Sequence, residues 1–148
     1  MSKGDFMKLW LIYALLSAIC AAFVSIFGKV GLTSADTTAA TAVRAVIMAI
    51  FLIGVVAVQG GFSNAAEIFG DKRNFLFLAL SGIAGACSWL FYFLALKHGQ
   101  ISQVAPVDKL SVVFAVGLAV LIFGEQISAI HLAAIILIAT GGLLLAIF

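Results

Sequence analysis

Ala105-Pro106-Val107-Asp108-Lys109-Leu110-Ser111 sets an acid and a base side by side at the edge of a hydrophobic segment. The charge-free run that follows, residues 110–124, holds 15 residues. As a helix it covers roughly 22 Å at about 1.5 Å per residue, against roughly 30 Å of bilayer hydrocarbon. To span a membrane, the segment must therefore begin near Ser102 or Gln103 and carry Asp108 and Lys109 inside the apolar slab. Such residues cost roughly 2.5 to 3.5 kcal/mol each near a helix centre, and less towards an end, so they demand partners. Neighbours in an unbroken helix lie about 100° apart around its axis, and on that geometry the two cannot simply neutralise each other.

Composition makes the membrane reading general. Of 148 residues, 65% are hydrophobic and 9% charged. A soluble domain of this size could not cover so much apolar surface. The net charge of +2 is scattered, with no basic block, which excludes nucleic acid as a partner. Cys20 and Cys87 lie mid-segment without other ligand types at metal spacing, so they are expected as small apolar filler, with no metal site and no cofactor. No hydrolase, redox or phosphate-loop constellation argues for an enzyme.

Outward from the opening stretch, five helices are expected at about 8–28, 37–58, 75–96, 103–123 and 129–148. The first is charge-free for 20 residues, 9–28, longer than the apolar core of roughly 7 to 15 residues in a secretory signal, and is expected to stay uncleaved. On it Ser17, Ala21 and Ser25 recur every four residues, spacing that permits close helix contact. The second is preceded by Ser34 and Asp36, both good N-caps. Only 14 residues, 45–58, separate Arg44 from the Gln59-Gly60-Gly61 breaker, so this helix reaches back to about Thr37 and buries Arg44 two turns in. Thr37, Thr41, Arg44 and Met48 then share one face; a snorkelling Arg44 is the alternative. Phe62, Ala65, Ala66 and Phe69 suit a short interfacial helix. The third span sets Gly82, Gly85, Trp89 and Tyr92 along one stripe, with Trp89 deep enough to pack inside or line a cavity. Pro106 is tolerable only in or near the first turn of the fourth. His131 begins the fifth and is assigned no role.

Alternating spans place Lys29, Arg44, Trp89, Tyr92, Lys97, Asp108 and Lys109 in the membrane half opposite the N-terminus. Four bases there face two acids, Asp36 and Asp108, which predicts a cationic hollow with Arg44 and Asp108 as an ion pair. Anionic or zwitterionic solutes should be preferred over cations.

A resemblance becomes specific on Ala39-Thr41-Ala42-Arg44, on Trp89-Leu90-Phe91-Tyr92 with Ala95-Leu96, on the stretch from Ala105 to Ser111, and on Gly124-Glu125. Over nearly the whole chain the sequence resembles a single EamA-type unit of the drug/metabolite transporter superfamily. The resemblance implies an all-α integral membrane protein: one five-helix domain over 1–148, multi-pass in the cell membrane. Larger members carry two such units in inverted orientation, so a family-like pore implies a homodimer here. The small multidrug-resistance branch couples transport to a carboxylate in its first helix, and helix 1 here has none. The implied function is transport of a small-molecule metabolite by alternating access, with Arg44, Trp89, Tyr92, Asp108, Lys109 and Ser111 as substrate-path candidates. The rivals are a flippase subunit for a lipid-linked sugar and a non-transporting assembly subunit of a larger membrane complex.

Overall fold

The structure, a computed structural model, describes residues 3–147, with side chains from Leu9 onward. Every regular element among the described residues is helical: α1 Lys3–Gly31, α2 Thr37–Val58, α3 Phe62–Gly70, α4 Lys72–His98, α5 Ile101–Asp108, α6 Ser111–Phe123 and α7 Ala129–Ile147. Among the described residues, five stretches are long and apolar enough to cross a membrane: Leu9–Gly31, Thr37–Val58, Lys72–His98, Ile101–Phe123 and Ala129–Ile147. Phe51, Phe114, Leu121 and Leu137 are all exposed, while the buried hydrophobic residues are Leu32, Phe93 and Leu96. Such a distribution suits helices solvated by lipid, where large apolar side chains need no interior.

The chain divides into two compact units. One is continuous, Gly31–Lys97; the other joins the chain up to Val30 with the chain from His98 onward.

In the continuous unit, α2 starts where its cap dictates. The Asp36 carboxylate accepts from the Ala39 backbone N–H at 2.8 Å, satisfying one of the orphan donors of the first turn. The helix ends at Val58, ahead of Gly60, whose φ of +67° favours a residue without a side chain. Residues 62–70 do form the short helix expected there, α3. Asp71 then caps α4, accepting from the Arg73 and Asn74 backbone N–H groups at 3.0 and 3.2 Å.

In the discontinuous unit, the fourth span is not one helix. Pro106 is the sixth residue of α5, inside the helix and past its first turn. It has no N–H for the carbonyl four residues back, and its ring crowds that carbonyl. The chain then tightens: Lys109 N–H bonds Pro106 O at 3.1 Å, Leu110 N–H bonds Val107 O at 3.0 Å, and Val112 N–H bonds Lys109 O at 3.0 Å. These three-residue loops are 3₁₀ geometry, and they separate α5 from α6. α7 packs against both halves. At the closest point a Cβ on Gly142 would lie 2.9 Å from the Pro106 carbonyl oxygen, so only glycine allows this approach. Gly124, with φ +66°, ends α6, and Ser128 caps α7 through the His131 backbone N–H at 3.3 Å. The Lys29 ammonium at the end of α1 donates to the Gly99 carbonyl at 2.7 Å.

Two expectations at the residue level change. α1 runs on to Gly31, past the end expected near residue 28. Cys20 and Cys87 are free thiols, both exposed rather than filling packed gaps.

Candidate functional site

The continuous unit brings three of the candidates together. The Arg44 guanidinium carbon lies 3.8 Å from the centroid of the Trp89 ring and 5.0 Å from that of Phe93. The first distance is that of a planar cation stacked on a π-face, an electrostatic attraction to the ring quadrupole. Arg44 and Trp89 are both partly buried and Phe93 is buried. Trp89 is itself wedged: Tyr92 meets it edge to face at 5.7 Å with planes 87° apart, and Phe93 lies 5.6 Å away on its own side. The three rings share a helix, Trp89 and Phe93 one turn apart with their planes tilted by 41° and Tyr92 beside them. Arg44 is therefore set against a ring of its own unit.

Thr37 and Thr41 occupy the same face of α2, as the spacing predicts. The Thr41 hydroxyl donates to the Thr37 carbonyl at 2.7 Å. The Thr37 hydroxyl is buried, its residue only 2% exposed, and has no hydrogen-bond partner among the described residues. Met48, one turn beyond Arg44, is exposed.

The discontinuous unit holds the other three candidates. The Lys109 ammonium lies 3.2 Å from an Asp108 carboxylate oxygen, so the neighbours do pair, contrary to the helical-wheel argument. The helix is broken at this point. α5 stops at Asp108, Lys109 sits in the turn, and the four-carbon lysine stem folds back onto the carboxylate. Ser111, the first residue of α6, is exposed. The turn at residues 109–110 separates Ser111 from the helical phase of α5, and the partly buried positions of α6 are Val113, Val116 and Ala119.

Arg44 and Asp108, expected as an ion pair, each have a neighbour in their own unit. The guanidinium rests on Trp89 and the carboxylate on Lys109. Sequence reasoning missed Phe93 as the second ring at Arg44, although its spacing of four from Trp89 signals it. It also missed Gly142 as a contact point, where the Gly141-Gly142 pair inside an apolar helix was the visible sign.

A 43% identical relative from Sinorhizobium sp, described as an uncharacterized transporter in the cobO 3' region, aligns over 139 residues, 94% of this chain and 97% of its own length. No solved structure matches the chain. The EamA-like transporter family matches residues 8–147, through all five candidate spans. With its five candidate spans and this match, the chain belongs to the EamA-like transporter family as a multi-pass membrane protein.

Proposed function

We propose that this protein moves a small metabolite across the cell membrane by alternating access, working as a homodimer and not as an enzyme. The observation that carries the reading is Arg44: a cation inside the span Thr37–Val58 that leans on an aromatic face. An ionisable group at such depth is expensive to keep and marks a solute path in preference to a packing role. Family membership supports the transport class, and the nearly equal length of the Sinorhizobium relative supports a single five-helix unit as the working chain.

On this reading Arg44, Trp89 and Tyr92 belong to the substrate path in one unit, and Asp108, Lys109 and Ser111 to that in the other. Pairing of two copies restores the ten-helix arrangement that larger members of the superfamily contain in one polypeptide. The test is a thermal-shift screen of metabolites on the purified protein, followed by uptake of each stabilising compound into proteoliposomes. Saturable uptake, reduced at least tenfold by Arg44→Ala at equal protein incorporation, is the expected result. A chain that binds no metabolite and copurifies with an unrelated membrane protein would be an assembly subunit instead.

A further inference from the structure

We infer that Arg44 and Trp89 form a seat for an oxyanion, a carboxylate or phosphate group, and that Trp89 is the positioning residue of that seat. The inference rests on the transporter reading for its use in the cell, but the seat is argued from geometry. A guanidinium stacked on a ring engages the ring with its flat face. Its edge, which carries five N–H donors in a fixed fork, is left over. Among the described residues no acceptor meets any of those donors, and no carboxylate of the same unit pairs with Arg44. Where water is scarce, a charged donor set without acceptors is unfavourable and calls for a complementary group. A planar two-oxygen anion matches the fork with two parallel charge-assisted hydrogen bonds; an ammonium is repelled, and a neutral hydroxyl satisfies one donor at most.

Trp89 does what a carboxylate partner could not. A carboxylate would occupy the N–H edge and cancel the charge, whereas the ring holds the guanidinium and leaves both available. The ring is itself held, edge-on by Tyr92 at 5.7 Å and by buried Phe93 at 5.6 Å, so the direction of the fork is set before a ligand arrives. Lysine at position 44 would keep the charge and lose both the flat face and the fork.

Fluorescence provides the test, because the chain has two tryptophans and Trp10→Phe leaves Trp89 as the reporter. The purified full-length protein in detergent is titrated with succinate and glycerol 3-phosphate, with tetraethylammonium and glycerol as controls. The expected result is a saturable change in Trp89 emission with an oxyanion only, abolished in Arg44→Gln and at least tenfold weaker in Arg44→Lys. By calorimetry, Trp89→Leu should weaken binding roughly tenfold, with Trp89→Phe restoring most of it because a π-face returns. A purely structural Trp89 would lower the melting temperature and leave the affinity of the folded fraction unchanged, which overturns its positioning role. A response to tetraethylammonium, equal affinity in Arg44→Gln, or no response to either soluble oxyanion or to phosphatidylglycerol overturns the seat. Phosphatidylglycerol added to the micelles separates the sources: a response to it alone supports a lipid-borne phosphate, and one to the soluble anions supports a metabolite. Proteoliposome uptake separates this inference from the transport reading. Uptake unchanged in Arg44→Gln removes the seat and keeps the transporter; Arg44-dependent binding without uptake of the bound anion keeps the seat and removes the transporter.

Discussion

Gly142 and Gly141 are adjacent, and their surroundings separate them. A methyl group at Gly142 meets the Pro106 backbone oxygen at 2.9 Å, and backbone cannot rotate away as a flexible side chain would; at Gly141 nothing lies within 4 Å. Overpacking of this kind costs typically about 1 to 3 kcal/mol, whereas glycine to alanine in an open helical site gains up to about 1 kcal/mol. Gly142→Ala should therefore lower the melting temperature in detergent while Gly141→Ala leaves it level or raises it. Equal shifts in the two variants would mean that α7 can slide away from α5 without loss. At this scale the pairing of Asp108 with Lys109 also shows why adjacency outweighs helical phase once a helix has ended.

The element with most at stake is the interrupted span Ile101–Phe123. Two causes could hold its break at residues 109–110: the missing N–H and bulky ring of Pro106, or the press of α7 at Gly142. Proline in a helix interior costs about 3 kcal/mol relative to alanine, so removing its ring is the direct way to separate the two causes. Pro106→Ala removes the ring and keeps the α7 contact, which falls on the position 106 carbonyl, so with proline as the cause the span should become one helix. Nitroxide labels at positions 102 and 118 should then approach roughly 24 Å, the rise of sixteen residues at about 1.5 Å each. If the distance distribution is the same as in the parent, α7 and not proline holds the break. A break that serves alternating access should also show as slower uptake in the straightened variant, even where its melting temperature rises.

Two predictions concern the whole molecule. The first is energetic coupling between the units that carry Arg44 and Asp108. Each charge has its own neighbour, so the stability losses of Arg44→Ala and Asp108→Ala should add within about 0.5 kcal/mol in the double variant, as independent sites do. A double variant milder than the sum would restore the direct ion pair expected from sequence. The second concerns insertion. Lys3, Lys8, Lys72 and Arg73 on one side balance Lys29, Arg44, Lys97 and Lys109 on the other, four against four, so charge imposes no strong orientation. Dual insertion would supply both orientations of the unit for an antiparallel homodimer. Single cysteines placed at positions 64–73, in a background without Cys20 and Cys87, should react with an impermeant reagent in about half the molecules of intact cells. Reaction of nearly all or nearly none rejects dual insertion.

What the sequence by itself determined was the set of apolar lengths and their punctuation. Five spans, the reach of α2 back to Thr37, its Asp36 cap, the short helix after Gly61 and the face shared by Thr37, Thr41 and Arg44 all follow from local spacing and capping chemistry, which neighbouring residues decide among themselves. Family membership was legible for the same reason, in short motifs spread along those spans. What only the tertiary structure decided was which group meets which. Sequence assigned Arg44 a carboxylate, Asp108, as its partner and did not foresee the ring of Trp89, because that contact depends on how α2 and α4 pack together. It located Pro106 without revealing that the span breaks three residues later, where the hydrogen bonds tighten around the proline and α7 packs close. Helix lengths obey the bilayer and the backbone; partners obey the packing of side chains from distant parts of the chain, and no local pattern encodes that.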